Sequence, residues 1–186
     1  MNIVVIKKTK KNYSNNNLPL FGISDHIFKT FDDRPNLFTK REVRVQILAD
    51  LELPKNGVIW DIGAGCGSIG LEALKLRPDL DLFCFDKRIG SKSLILENSK
   101  RLSVKPKFIF EEDINNTLNT RNLSSFENPN RLIIGGCDKK TKLQIINTMA
   151  QVMSIGDIIV IPIIDIQTIK ELKEELEDKN FKTNLN

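Results

Sequence analysis

The stretch that decides the fold is Val58-Ile59-Trp60-Asp61-Ile62-Gly63-Ala64-Gly65-Cys66-Gly67-Ser68-Ile69-Gly70. A short apolar run, Val58-Ile59-Trp60, ends in an acid and passes into glycines at alternate positions. Such a run bounded by turn residues predicts a buried strand. Three glycines let the backbone turn tightly and come close to a ligand. Ser68–Leu76 predicts a helix stopped by Pro78, and the free N–H groups of its first turn would point at that ligand.

Outward from this unit the same alternation repeats. Leu82-Phe83-Cys84-Phe85 predicts a second strand, Gly90–Leu102 a second helix, Phe108-Ile109-Phe110 a third strand and Leu132-Ile133-Ile134 a fourth. Lys139–Met153 predicts a helix, Ile158–Ile164 a fifth strand and Asp165–Lys179 a further helix. Upstream, Thr39 reads as an N-cap with Glu42 completing a capping box, and Val43, Ile47, Leu48 and Leu51 form the apolar face of a helix ended by Pro54 and Gly57. Residues 1–21 read as a flexible lead-in: Ile3-Val4-Val5-Ile6 would be an edge strand and Lys7–Asn17 a floppy polar stretch. Residues 22–186 then form the one domain, with 22–38 a loop or short turns. Strands apolar on both faces, alternating with helices, imply an α/β, doubly wound parallel sheet covered on both sides. Its ligand belongs beyond the carboxyl ends of the strands. After the fifth strand only the start of a sixth is legible, so the closing C-terminal strands are expected to be incomplete.

Composition narrows the function classes. The 186 residues suit one domain with its own core. The formal net charge is +4, and the only dense basic run is Lys7, Lys8, Lys10 and Lys11, which reads as a solvated tail rather than a nucleic-acid stripe. Cys66, Cys84 and Cys137 include no C-x-x-C pair, so neither a zinc site nor a redox pair is expected, and no metal is expected elsewhere. Scattered cysteines fit a reducing cytoplasm. No apolar run approaches a membrane span or a signal peptide.

Two cofactor classes use such a loop. Gly65, Gly67 and Gly70 satisfy a dinucleotide G-x-G-x-x-G formally, and Asp86 lies 21 residues after Gly65. The placement is wrong, because the first glycine after the strand is Gly63, and Ser68 then stands where the third glycine belongs. The register that begins with the acid, Asp61-x-Gly63-x-Gly65-x-Gly67, resembles motif I of class I methyltransferases, which implies S-adenosyl-L-methionine as cofactor. An acid at the strand end suits the ammonium of a methionine tail and repels a pyrophosphate. Asp86 ends the second strand, where a carboxylate accepts from both ribose hydroxyls. Asp113 follows the third strand, in position either for the adenine amino group, with Ile114 beside the ring, or for a helix N-cap.

A narrower resemblance rests on four motifs. Gly22-Ile23-Ser24-Asp25-x-x-Phe28, Thr39-Lys40-Arg41-Glu42-Val43-Arg44, the glycine loop and Gly135-Gly136 are similar to the decarboxylating precorrin methyltransferases of cobalamin biosynthesis, which occur alone or as the C-terminal half of a larger enzyme. The likeness covers roughly residues 22–175. It implies methylation of carbon-15 of a precorrin macrocycle with loss of the carbon-12 acetate carboxylate. It also implies that Thr39 contacts the cofactor, that Gly63, Ala64, Gly65, Cys66 and Gly67 wrap its methionine part, and that Asp86 holds the ribose. Asp113 and Ile114 would border the adenine, and Gly135 and Gly136 would leave room for the macrocycle. The implied partners are a tetrapyrrole substrate and further copies of the chain in a homo-oligomer, with neither nucleic acid nor membrane. Departures are Ser24 for a proline, Asp86 for a glutamate, and Pro162 and Gln167 at two polar positions after the fifth strand. The last two bear on the decarboxylation.

No residue is assigned as the catalytic base, though His26 is a candidate. Arg34, Lys40, Arg41 and Arg44 are candidates to pair with substrate carboxylates. Two other readings stand beside this one. The first is a class I methyltransferase for another small molecule or RNA, although Ile134-Gly135-Gly136-Cys137 offers no aromatic clamp for a flipped base. The second is a non-catalytic scaffold or binding domain.

Overall fold

A computed structural model describes residues 18–36, 38–120, 126–163, 165–177 and 182–185. Ile3–Ile6 and Lys7–Asn17 lie outside the described residues. The elements run α1 (Arg41–Asp50), β1 (Gly57–Ile62), α2 (Ser68–Leu76), β2 (Leu80–Phe85), α3 (Ser91–Leu102), β3 (Phe108–Phe110), α4 (Ile114–Thr120), β4 (Arg131–Ile134), α5 (Lys139–Met149), β5 (Ile158–Val160) and α6 (Ile166–Glu177). A 3-10 turn, Asp25–Ile27, precedes them.

All strand pairs are parallel, in the order β3-β2-β1-β4-β5. The chain leaves β1 toward β2 and β3 and returns on the other side through β4 and β5. The order therefore reverses between β1 and β4, which is where ligands of doubly wound sheets bind.

Alternation along the strands divides the core. Ile59 joins Leu82 and Cys84 with α1, α2 and α3 on one face. Val58, Trp60 and Ile62 face the other way, onto Phe83, Phe85, Leu132, Ile134 and the α5 side chains Ile145, Ile146 and Met149. Trp60 lies 5.0 Å from the Phe85 ring, which stacks on Phe110 at 4.9 Å. Asp61 is the exception, a carboxylate on the first face and 2% exposed.

Several expectations are corrected. The N-cap of α1 is Lys40, with no side-chain cap bond, so Thr39 does not cap the helix. Val43 is exposed and Arg44 turns inward with Ile47, Leu48 and Leu51. The buried stripe runs at i, i+3, i+4 and i+7 from an arginine, because that arginine meets a buried acid. α5 ends at Met149, four residues early, where Ala150–Met153 close back on Ile146, Thr148 and Met149. β5 stops at Val160, two residues before Pro162, which has no N–H for a ladder. α4, for which the sequence offers only Asp113 as a candidate N-cap, starts on that residue: its amides Asn116 and Thr117 donate to the Asp113 carbonyl and Asn115 to the Asp113 carboxylate at 3.0 Å. Residues 182–185 carry no regular structure, and no sixth strand occurs among the described residues.

Candidate functional site

β1 delivers Asp61 to the carboxyl edge, facing α2. Its Oδ2 accepts from Gly70 N at 3.1 Å, and Gly70 has no side chain in the way: a Cβ there would lie 3.0 Å from that oxygen and 2.8 Å from Leu82. Burial, aided by repulsion from Asp86 and opposed by the Gly70 bond, pushes the Asp61 carboxyl from 3.8 to about 7. A buried carboxylate whose charge is so poorly compensated is suited to a cationic ligand group.

The loop that follows is held from β2. Gly63 N and Ala64 N both donate to the Phe85 carbonyl, at 2.8 and 3.1 Å. Gly63 has φ +73, and a Cβ there would lie 2.6 Å from the Gly135 carbonyl oxygen. The loops after β1 and β4 thus touch backbone to backbone. Gly65 is the opposite case. Its φ is +59, yet a Cβ would meet nothing within 4 Å. The loop is closed at its base and open at its crown.

Asp86 stands beside that opening. Its Oδ2 accepts from Gly65 N at 2.7 Å and its Oδ1 from Arg88 N at 2.8 Å. One bond per oxygen leaves each carboxylate oxygen further acceptor capacity. Asp113 lies at the next strand end and pairs with Lys87 at 3.8 Å. Ile114 is buried, 4% exposed. Asp113 supplies the cap of α4 with its backbone and one carboxylate oxygen, so the capping role is real whatever else it does. Asn115 Oδ1, next to this pair, is buried without a hydrogen-bond partner.

Gly135 and Gly136 pack on Gly63, which places the loop after β4 beside the glycine loop. Cys137 follows, and Lys142 Nζ reaches its carbonyl. Burial pushes the Cys137 thiol above its usual value. His26 is exposed, with Nδ1 2.8 Å from Ser24 Oγ.

Arg44 is corrected as a substrate ligand. Its side chain is 0% exposed and its donors are consumed internally: Nε by Glu72 at 2.7 Å, Nη1 by the Thr39 carbonyl at 2.8 Å and Asp25 at 3.2 Å, and Nη2 by the Ile23 carbonyl. Glu72 in turn accepts from Gly22 N and Ile23 N. Arg41 donates to the Gly22 carbonyl at 2.7 Å, and Lys40 sits over the Phe38 ring. Thr39 is tied through its carbonyl to Arg44. The two opening motifs meet at one buried ion pair that fastens residues 22–25 to α1 and α2. Glu72 was not singled out in the sequence. The signal available was an acid inside the otherwise apolar face of α2.

The arrangement can take a ligand that carries a cationic group: open space at Gly65, the buried Asp61 carboxyl in the strand before it and the Asp86 carboxylate bound to Gly65 N.

Comparison with known proteins agrees. Residues 30–180 match the precorrin methyltransferase domain family. A probable cobalt-precorrin-6B C(15)-methyltransferase (decarboxylating) of Saccharolobus solfataricus is 29% identical over 162 residues, 86% of this chain and 78% of that protein. The crystal structure of precorrin-6y C5,15-methyltransferase from Geobacter metallireducens superposes with a TM-score of 0.75 at 28% identity, covering 89% of this chain and 84% of that one. The precorrin 8W decarboxylase of Methanobacterium thermoautotrophicum superposes with a TM-score of 0.72 at 25% identity, covering 87% and 83%. The sheet order, the glycine loop and these likenesses lead to one statement: this chain is a class I methyltransferase fold and belongs to the precorrin methyltransferase domain family.

Proposed function

We propose that this protein is an S-adenosyl-L-methionine-dependent C-methyltransferase that acts on a precorrin macrocycle in cobalamin biosynthesis, with coupled decarboxylation. The observation that carries the reading is the open crown of the loop at Gly65, set between the buried Asp61 and the Gly65-bound Asp86. The relatives' names supply the substrate class: they are decarboxylating methyltransferases of precorrins.

The bound cofactor supplies an activated methyl group on a sulfonium. The chain's work is then binding and placement. Gly63, Ala64, Gly65, Cys66 and Gly67 would wrap the methionine part, with Asp61 as the anion beneath the ammonium. Asp86 would accept from the ribose hydroxyls. Asp113 and Ile114 would border the adenine, beside the unpartnered Asn115 Oδ1. Thr39 would approach from the start of α1. Gly135 and Gly136 would give the ring space over the loop after β4. Gln167 donates to Glu171 within α6, and Pro162 lies just past β5, so neither reproduces the polar pair that the family resemblance implies there.

The three cysteines are free, which supports work in a reducing cytoplasm. The family resemblance supports a homo-oligomer, which sedimentation would test. Incubation with S-adenosylmethionine and precorrin intermediates, read by mass, tests the main reading. Gain of a methyl with loss of carbon dioxide is expected. Methylation without that loss would restrict the function to methyl transfer, and absence of both would overturn it.

A further inference from the structure

Residues 22–33, which include the 3-10 turn, form a strap against α3, and one buried side chain ties it there. Asn98, on α3, is 0% exposed. Its Oδ1 accepts from Lys29 N at 2.8 Å, and its Nδ2 donates to the Lys29 carbonyl at 2.9 Å and to the Cys66 carbonyl at 2.9 Å. One amide thus reads the backbone of Lys29 on both sides and grips the glycine loop at the same time. The rest of the segment is laid along the same surface. Lys29 pairs with Glu97, and Arg101 reaches the Ile27 carbonyl. Arg88 lies over the Phe31 ring at 3.9 Å and pairs with Asp33 at 2.5 Å. Arg88 N is itself a donor to Asp86. The strap 22–33 therefore contacts both loops assigned to the cofactor: the Cys66 carbonyl through Asn98, and the Asp86 loop through Arg88.

We propose that Asn98 is a positioning residue for cofactor binding, fixing the Cys66 carbonyl of the glycine loop against the Lys29 backbone so that the strap and the loop order together. This inference rests on reading the loop as the S-adenosylmethionine site. Only an amide can serve here. Lys29 presents both a donor and an acceptor, Cys66 presents an acceptor, and Asn is the short side chain that matches that set. An aspartate of the same shape loses Nδ2 and sets an acceptor against two carbonyls. Coupling is reciprocal, so a ligand that orders the loop must also order the strap.

The test uses the full chain and S-adenosylhomocysteine. In wild type, the ligand is expected to slow hydrogen exchange at the Lys29 amide. Asn98→Asp is expected to weaken binding about tenfold or more, equivalent to about 1.4 kcal/mol, and to raise the KM for S-adenosylmethionine more than it lowers kcat. Leu102→Ala, at the far end of α3, is the stability control: it is expected to lower the melting temperature while leaving the Kd within about twofold. Unchanged binding by a folded Asn98→Asp, or equal weakening by Leu102→Ala, overturns the proposal. So does a wild-type Lys29 amide whose exchange ignores bound ligand, which settles the matter even if Asn98→Asp fails to fold. No ligand binding to wild type would instead sink the cofactor reading, and this inference with it.

Discussion

Arg44 Nε and Glu72 Oε2 face each other at 2.7 Å with both side chains fully out of solvent. Such a pair is a strong commitment, because both charges have left water, and Arg44 has one further counter-charge, Asp25 at 3.2 Å. Here the remaining lone pairs and protons are also taken, by Gly22 N, Ile23 N and the Ile23 and Thr39 carbonyls.

Breaking this pair should destabilise the whole domain. Glu72→Ala leaves the buried guanidinium with only the partly exposed Asp25 as counter-charge, and a loss of about 3 kcal/mol is expected, read by urea denaturation. Residues 22–25 should become the first proteolytic site. A loss under about 1 kcal/mol would show the pair to be far less isolated from water than the geometry says.

Asp61 gives a pH signature with a definite sign. Its carboxyl is raised from 3.8 to about 7 by burial, so the folded protein holds a proton that the unfolded chain has lost. Folding stability from this group therefore falls as pH rises from about 4 to about 7 and is level above, by up to about 4 kcal/mol at about 1.4 kcal/mol per pKa unit. Asp61→Asn removes the ionisation and keeps an acceptor for Gly70 N. Its melting temperature relative to wild type should climb across that window, and a flat difference would place the carboxyl in water.

The same group should make ligand affinity depend on pH. An ammonium tail favours the ionised carboxylate. Wild-type affinity for S-adenosylhomocysteine should be level from about pH 7 up to where the ligand's own ammonium loses its proton, and should decline below about pH 7 by up to tenfold per pH unit. Calorimetry at several pH values checks this, and Asp61→Asn should abolish the dependence along with most of the affinity.

Gly63 and Gly65 should separate stability from binding. Gly63→Ala drives a methyl to 2.6 Å from the Gly135 carbonyl oxygen, and a loss of several kcal/mol is expected from backbone that cannot yield. Gly65→Ala meets nothing, so it bears only the left-handed backbone penalty of about 1–2 kcal/mol. It should nonetheless lose ligand affinity, because its methyl would stand in the ligand's space. Equal effects on folding would remove the distinction.

Asp86→Ala removes the acceptor of both Gly65 N and Arg88 N. Affinity for S-adenosylhomocysteine should fall at least tenfold, with melting changed by only a few degrees. Binding equal to wild type in calorimetry would remove Asp86 from the ribose site.

Much of this was legible in the residues. The parallel sheet followed from runs such as Leu132-Ile133-Ile134, whose apolar character on both faces has no other economical explanation. Asp61, Gly63, Gly65 and Asp86 were placed at strand ends by local spacing, and the chain does bring their loops together. Arg44 was misread because an arginine on a helix is ordinarily a solvated charge. α4 is legible only through Asp113 as a candidate cap, because Ile-Asn-Asn-Thr-Leu has weak helix propensity.

What the sequence alone determined is what depends on near neighbours: strand and helix types, the acid-first glycine loop, and the motifs that resemble a family. Only tertiary structure decided that Glu72 answers Arg44, that Asn98 joins Lys29 to Cys66 and that Gly63 must be bare because Gly135 lies against it. Those relationships span 28 to 72 residues of chain. No local pattern encodes them, because each arises only when the packing of the sheet and its helices brings two distant buried polar or backbone groups within bonding distance.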